Sequence, residues 1–313
     1  MDAEVQVALG PVMAAAQELP PPSVGDWHAL RVAVELSFDV AARALAPANG
    51  VQIDEYVAVG VDGTPVPLLF YRPTGTDQPH SAALYLHGGG MIAGWHPIYD
   101  LDVRAYVAAS GVSMLAVDYR VAPEHPGRLP VEDCYTGLVW LAEHASDLGI
   151  DATRIAVLGG SAGGGLAAGV ALLARDRCGP HLAQQLLLYP MLDDRTTTVD
   201  PQLRPFLTWT YADNITAWGA LLGERVGGGD VSPYVVPARC TDLSGLPPTY
   251  IDVGELDIFR DESIEYARRL TAAGVPTELH LHPGSPHGFE VFAPDAAVSH
   301  RAVTDRIRRL REL

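Results

Sequence analysis

The stretch Gly159-Gly160-Ser161-Ala162-Gly163 sets a serine among small residues, where the apolar run Ile155 to Leu158 gives way to a helical pattern rich in Ala and Gly. A serine hydroxyl is a weak nucleophile until a base takes its proton, and a tight strand-to-helix turn is the setting that exposes it. The helix beginning there also presents its positive end to developing negative charge. In isolation the same letters describe a glycine-rich structural turn, so the serine needs partners. His87-Gly88-Gly89-Gly90 follows the apolar run Ala82 to Leu86. Successive glycines let backbone N–H groups reach a substrate oxygen with no side chain in the way. The run does not fit G-x-G-x-x-G and no Lys follows it, which argues against a phosphate loop. The N–H groups of Gly88, Gly89 and Ala162 are the candidate donors to an oxyanion.

A base and an acid must follow the serine in the chain, in the order serine, acid, histidine. Of the 11 histidines, His280, His282, His287 and His300 come after a plausible acid. His280 and His282 alternate within one strand pattern, as a packed or solvated face does, and as a metal pair could. His300 falls in the last helical pattern. His287 sits in the loop Pro283-Gly284-Ser285-Pro286-His287-Gly288-Phe289, past the final strand, where an imidazole can swing over the serine. The acid candidates cluster at Glu255, Asp257, Asp261 and Glu262. Asp257 comes just after the run Thr249 to Val253, whereas Asp261 and Glu262 fall where helix capping explains them. Candidates for the walls of a substrate pocket are Met91, Trp209, Trp218, Ile258 and Phe289.

The elements that must position these groups show in the hydrophobic pattern. Ala82 to Leu86, Val112 to Val117, Ile155 to Leu158, Leu186 to Tyr189 and Thr249 to Val253 are short apolar runs separated by helical patterns. That alternation indicates a parallel sheet covered on both faces. Val51 to Val61 and Pro65 to Tyr71 flank a Val-Asp-Gly-Thr-Pro turn and predict an antiparallel hairpin at the sheet edge. Asp261 to Ala273 predicts a helix with Ile264, Ala267 and Leu270 on its buried stripe, stopped by Gly274. Glu278 to His282 predicts a last strand and Ala296 to Arg311 a last helix. Two segments stand apart from this alternation. Trp27 to Ala46 is helical in pattern with no strand to cover, and carries apolar Leu30, Val34, Leu36, Phe38 and Ala42. The connection from about Met191 to Val226 holds Phe206, Trp209, Tyr211 and Trp218. Together they suggest a lid: residues 1–48 as its N-terminal part and 191–226 as an insertion, with 49–190 and 227–313 forming the core.

Bulk properties narrow the classes. The 313 residues are 48% hydrophobic and 19% charged, enough to bury a large core. A net charge of -17 repels phosphate backbones and anionic membranes, so nucleic acid is not an expected partner. All 21 basic residues are Arg. Cys134, Cys178 and Cys240 are widely spaced and odd in number, which predicts buried free thiols. No apolar run is long enough for a membrane span, and the acidic N-terminus lacks signal-peptide order, so the expected location is cytoplasmic.

Five blocks in order carry a resemblance over roughly residues 80 to 290: His87-Gly88-Gly89-Gly90, Tyr119 to Pro126 (YRVAPEHP), Gly160 to Gly164 (GSAGG), Glu255-Leu256-Asp257 with Arg260-Asp261-Glu262, and His287-Gly288-Phe289. They are similar to the hormone-sensitive-lipase family of bacterial esterases. The resemblance implies an α/β-hydrolase fold with an eight-stranded, mostly parallel sheet under a helical cap. It implies a serine carboxylesterase acting without cofactor or metal on short- to medium-chain acyl esters, and it places the acid at Asp257, with Glu255 as runner-up. Gly160 departs from the pattern, since the family usually has Asp or Thr before the serine. Ile258 and Phe259 replace the common Pro and Leu after the acid. Rival readings are an amide, carbamate or lactone hydrolase with the same triad, and a non-catalytic ligand receptor on the same fold. The expected partner is a small-molecule ester, with a homodimer left open.

Overall fold

A single eight-stranded sheet organises the chain, in a computed structural model that describes residues 1–17, 21–43, 45, 47–75 and 80–313. The hairpin β1 (Val51–Val59) and β2 (Pro65–Pro73) pairs antiparallel, with β1 at the edge. Strands β3 (His80–Leu86), β4 (Ser113–Val117), β5 (Ile150–Gly160), β6 (Gln184–Leu188), β7 (Thr249–Gly254) and β8 (Thr277–His282) run parallel to one another. The order across the sheet is β1-β2-β4-β3-β5-β6-β7-β8. Strands β4, β6 and β7 are buried at every residue, as expected of parallel strands covered on both faces.

Nine α-helices surround the sheet among the described residues: α1 (Ala3–Gln17), α2 (Trp27–Ala42), α3 (Pro97–Ser110), α4 (Leu129–Glu143), α5 (Ala162–Asp176), α6 (Tyr211–Leu222), α7 (Arg260–Ala272), the single turn α8 (Phe289–Phe292) and α9 (Ala297–Arg311). Helix α5 is buried from Ala162 to Ala174, and small residues allow this. A Cβ on Gly163 would lie 2.0 Å from the Leu86 carbonyl, so only glycine lets α5 approach β3 so closely.

Several local expectations need correction. The helix expected over Trp27 to Ala46 ends at Ala42, with residues 44 and 46 outside the described set, and its Leu36 is half exposed. The stripe of α7 is shifted: Ser263, Tyr266, Ala267 and Leu270 are buried, while Ile264 is 38% exposed. Glu262 does not cap α7. It is half-buried and accepts hydrogen bonds from the backbone N–H groups of Leu192 and Asp193 and from Thr196 Oγ1, so it anchors the start of the 191–226 connection. Burial pushes its carboxyl well above the usual carboxylate range. Of the three free thiols Cys134 and Cys240 are buried, but Cys178 is exposed, in the turn after α5. Helix α1 falls within the expected N-terminal part of the lid, where the sequence pattern predicts no helix. Its Val5 and Leu9 pack with Phe289 and Ala302 in a small separate cluster.

Arg306 of α9 ties the sheet to the helices over its carboxyl end. Its side chain is fully buried, with Nε and Nη2 donating to the two oxygens of Asp252 at 2.6 and 3.0 Å and Nη1 donating to Glu290 Oε1 at 2.5 Å. Burial alone would raise the Asp252 carboxyl, but the guanidinium outweighs it and holds the group at about 2. A carboxyl lowered on folding contributes stability that is fully present above its ordinary value near 3.8 and lost as pH falls through about 2. Arg306→Met would leave two carboxylates facing each other without their cation. The expected loss is about 3–5 kcal/mol at neutral pH, read by urea unfolding. A variant within 1 kcal/mol of wild type would refute this role.

Candidate active site

The glycine run, the serine, Asp257 and His287 each sit beyond the carboxyl end of a parallel strand, at one end of the sheet. The glycine run follows β3, Ser161 follows β5, Asp257 follows β7 and His287 follows β8. Ser161 has φ 58° and ψ −122°, a conformation forced by the reversal from β5 into α5 and costing roughly 1–3 kcal/mol. Its N–H is held by the Leu188 carbonyl at 2.9 Å, and its own carbonyl accepts from Gly165 and Met191.

Ser161 Oγ lies 2.9 Å from His287 Nε2, and His287 Nδ1 lies 2.7 Å from Asp257 Oδ2. Asp257 is fully buried, and its Oδ1 accepts from the Phe259 N–H at 2.9 Å. An ionised carboxylate can only accept, so Nδ1 carries the proton and Nε2 is free to accept from the serine hydroxyl. The imidazole is held edge-on between two rings, Tyr189 at 4.9 Å and Phe259 at 5.1 Å. Glu255 is elsewhere: its Oε2 accepts from the Gly284 N–H at 2.7 Å, bracing the loop that carries His287.

The glycine run is fixed from behind. Tyr119 Oη donates to the His87 carbonyl at 2.7 Å, and the His87 ring stacks on Tyr119 at 4.0 Å. Burial pushes the His87 imidazole down to about 4, so at neutral pH it packs as an uncharged ring. A Cβ on Gly88 would stand 3.5 Å from Ser161 Cβ, which brings this backbone beside the serine. Ala162 opens α5, where its N–H has no carbonyl of its own helix to meet.

This strand-by-strand arrangement is matched by a family model described as alpha/beta hydrolase fold, over residues 83–291. The chain belongs to the α/β-hydrolase family. Carboxylesterase NlhH of Mycobacterium tuberculosis is 39% identical to it over 244 residues, 75% of each chain. Esterase LipI of the same species is 35% identical over 246 residues, 76% of this chain and 75% of the other. Among solved structures, a bacterial heroin esterase matches with a TM-score of 0.88 at 39% identity, covering 100% of this chain and 97% of the other.

In this α/β-hydrolase a cavity of about 390 Å³ opens beside Ser161 and His287. Gly88, Gly89 and Trp209 line it. The other pocket candidates do not. Met91, Trp218, Ile258 and Phe289 are at most 4% exposed and pack inside the hydrophobic clusters, because large apolar side chains next to a strand end fill the core before they reach the cleft. His280 Nε2 meets Glu278 Oε1 at 2.7 Å, the His282 ring packs 5.3 Å from Phe289, and no group of three or more metal-ligating side chains occurs among the described residues. Nor is any described helix long and apolar enough to cross a membrane. His300 also lines the cavity.

Some lining residues had no sequence signal. Tyr85, Tyr99, Asp102, Tyr189 and Glu290 all face the cavity, whereas Phe38, which also lines it, belongs to the expected lid segment. Tyr189 also accounts for Gly160: a Cβ there would stand 3.2 Å from Tyr189 Oη, so the tyrosine occupies the room that a larger residue before the serine would need. The apolar run ending in Leu-Leu-Leu-Tyr-Pro could have flagged Tyr189, since it leaves β6 as Ser161 leaves β5.

Proposed function

We propose that this carboxylic ester hydrolase works through Ser161, His287 and Asp257, with the N–H groups of Gly88, Gly89 and Ala162 as its oxyanion hole. The observation that carries the reading is the unbroken chain of hydrogen bonds from Ser161 Oγ through His287 to buried Asp257, opening onto the cavity. Ser161 Oγ attacks the ester carbonyl as its proton passes to His287 Nε2. Asp257 stabilises the imidazolium, and the oxyanion rests on the backbone donors. The tetrahedral adduct collapses, the C–O bond breaks, and His287 returns the proton to the leaving alcohol. Water then enters, gives its proton to His287 and releases the acid from Ser161. The ordered histidine weighs against a non-catalytic receptor. Short- to medium-chain acyl esters fit the cavity's volume, and the three unpaired thiols are in keeping with a cytoplasmic setting. A panel of p-nitrophenyl esters of increasing length, run beside the matching anilides, tests the reading. Ester turnover falling off with long chains is expected; faster anilide than ester cleavage would move the function to an amidase.

The segments 1–48 and 191–226 act as the cap. Val34, Ser37 and Phe38 of α2 line the cavity, and α2 packs against α6. Arg31 fastens α2 to the core, donating to the Ile92 and Ala122 carbonyls at 2.6 and 2.9 Å and pairing with Glu124. From the other segment, Thr208 Oγ1 donates to the His287 carbonyl at 2.6 Å. A cap so placed excludes water and sets substrate size. A protein beginning at residue 49 is expected to lose kcat/KM and to change its chain-length preference, with folding checked by circular dichroism. Phe38→Ala should shift the preference toward longer chains without the larger deletion. Unchanged kcat/KM across the panel in both proteins would refute the cap.

A further inference from the structure

The cavity has an electrostatic character that ester hydrolysis alone does not require. Among the described residues two carboxylates line it, Asp102 of α3 and Glu290 of α8, and no Arg does; the chain has no Lys. Among the described residues, His287 and His300 are its only basic lining residues. Behind the wall the Arg306 guanidinium is already shared between Asp252 and Glu290, with Tyr106 Oη accepting from it at 3.3 Å, and the Arg311 guanidinium donates to the Ala109 carbonyl. Asp102 has no such partner: its Oδ2 accepts from Tyr85 Oη at 2.7 Å, and no cation is paired with it among the described residues. Burial pushes its carboxyl up to about 6, with the nearby Glu290 charge adding to the rise and the Tyr85 hydrogen bond and the more distant Arg306 charge opposing it. Tyr85, Tyr99, Tyr106 and Tyr189 line the same cavity, and tyrosine rings attract cations, as the Arg306 guanidinium 5.4 Å from the Tyr189 ring centre illustrates. Three further polar atoms on the lining side chains have no partner: Tyr99 Oη, Trp209 Nε1 and Glu290 Oε2, the last on a side chain only 9% exposed.

The polar end lies within reach of the serine. A Cβ on Gly89 would stand 3.5 Å from Tyr99 Oη, and Asp102 follows Tyr99 by three residues on α3, one turn along the same face, about 5–6 Å away. We propose that this cavity selects esters carrying an ammonium group, which seats against Asp102 among the tyrosine rings while the ester carbonyl lies at Ser161. The proposal rests on the reading of Ser161 as nucleophile. The net charge of -17 acts in the same direction, since it concentrates cations near the protein.

Shape-matched pairs test it, because trimethylammonium and tert-butyl groups differ mainly in charge. On the alcohol side the pair is acetylcholine and 3,3-dimethylbutyl acetate; on the acyl side, the p-nitrophenyl esters of 4-(trimethylammonio)butanoic and 5,5-dimethylhexanoic acid. In at least one pair kcat/KM should favour the cation by about tenfold, a factor typical of one desolvated cation–aromatic contact. Asp102→Asn should cut that ratio about tenfold, and Asp102→Glu should keep more of it than Asp102→Asn does. Should either variant fail to fold, wild type still decides: choline must inhibit hydrolysis of p-nitrophenyl acetate competitively and more strongly than 3,3-dimethylbutanol. Neutral esters cleaved in a Ser161-dependent way with no cation preference in either pair would overturn the inference and leave the esterase intact. A ratio unchanged in folded Asp102→Asn, or choline no stronger than its neutral analogue, would overturn it too. Neutral esters cleaved equally well by Ser161→Ala would instead overturn the reading beneath it.

Discussion

Ser161→Ala is expected to lower kcat on p-nitrophenyl esters by up to about 10⁶-fold while the protein stays folded, by analogy with removal of the nucleophile in another serine hydrolase. The substitution removes only Oγ. The backbone at φ 58° already carries a Cβ, so alanine adds no new strain. The hydrogen bonds that shape the turn run through the Ser161 main chain, from its N–H to Leu188 and from its carbonyl to Gly165 and Met191, and survive the change. His287 Nε2 loses its partner, but its side chain is 12% exposed, so water from the cavity can take the place of Oγ. What disappears is the atom that forms the acyl-enzyme. The backbone donors remain, and hydrolysis some 10³–10⁴-fold above the uncatalysed rate should persist through them. Turnover, burst amplitude and melting temperature measured together give the answer. A folded variant with near-normal kcat would remove Ser161 from the chemistry.

What the sequence reveals of this molecule follows from how local each determinant is. Five of the six parallel strands and the hairpin announce themselves because a strand buried on both faces must be apolar, and a hairpin must turn, whereas β8 at the sheet edge shows only as an alternation of polar and apolar residues. Ser161 and the glycine run are legible for a related reason: each needs a backbone that few residues allow, so composition betrays position. Gly163, with no room for a Cβ against Leu86, is part of the same signal. His287 stands out only by its place after the last strand.

The cavity is another matter. Its walls come from α2, α3, α8, α9 and the ends of β3 and β6, and no local pattern joins them. Apolar residues near the motifs looked like walls, but Trp218 and Phe289 serve the core because hydrophobic burial does not distinguish cleft from interior. Asp102, three residues after Tyr99, reads as an ordinary helix-surface acid in the sequence, and only packing against Tyr85 and the neighbourhood of Glu290 give it a different character. Glu262 likewise looked like a helix-start acid and proved to hold a distant connection. Side chains whose function depends on elements far apart in the chain leave no trace in spacing.

Asp257→Asn should cost about 10⁴-fold in kcat and far exceed the effect of Glu255→Gln. The argument turns on which atom of the asparagine faces His287. Asp257 Oδ1 accepts from the Phe259 N–H at 2.9 Å, and that bond fixes the side-chain plane in a fully buried site. In asparagine the oxygen keeps that bond, since only oxygen can accept it, and the amide NH₂ then falls where Oδ2 stood, 2.7 Å from His287 Nδ1. Facing a donor, Nδ1 must become the acceptor, so the proton moves to Nε2. An Nε2–H cannot take the serine proton, although the distances are nearly unchanged. The loss should therefore appear mainly in kcat and ease at high pH, where direct attack by serine alkoxide needs no base. Glu255 offers no such leverage. Its Oε2 accepts from the Gly284 N–H at the surface, and glutamine can accept the same bond, so its effect should stay within severalfold. If Glu255→Gln proved the more damaging of two folded variants, the acid would have to be reassigned from Asp257 to Glu255, and the loop carrying His287 would have to move for the two to meet.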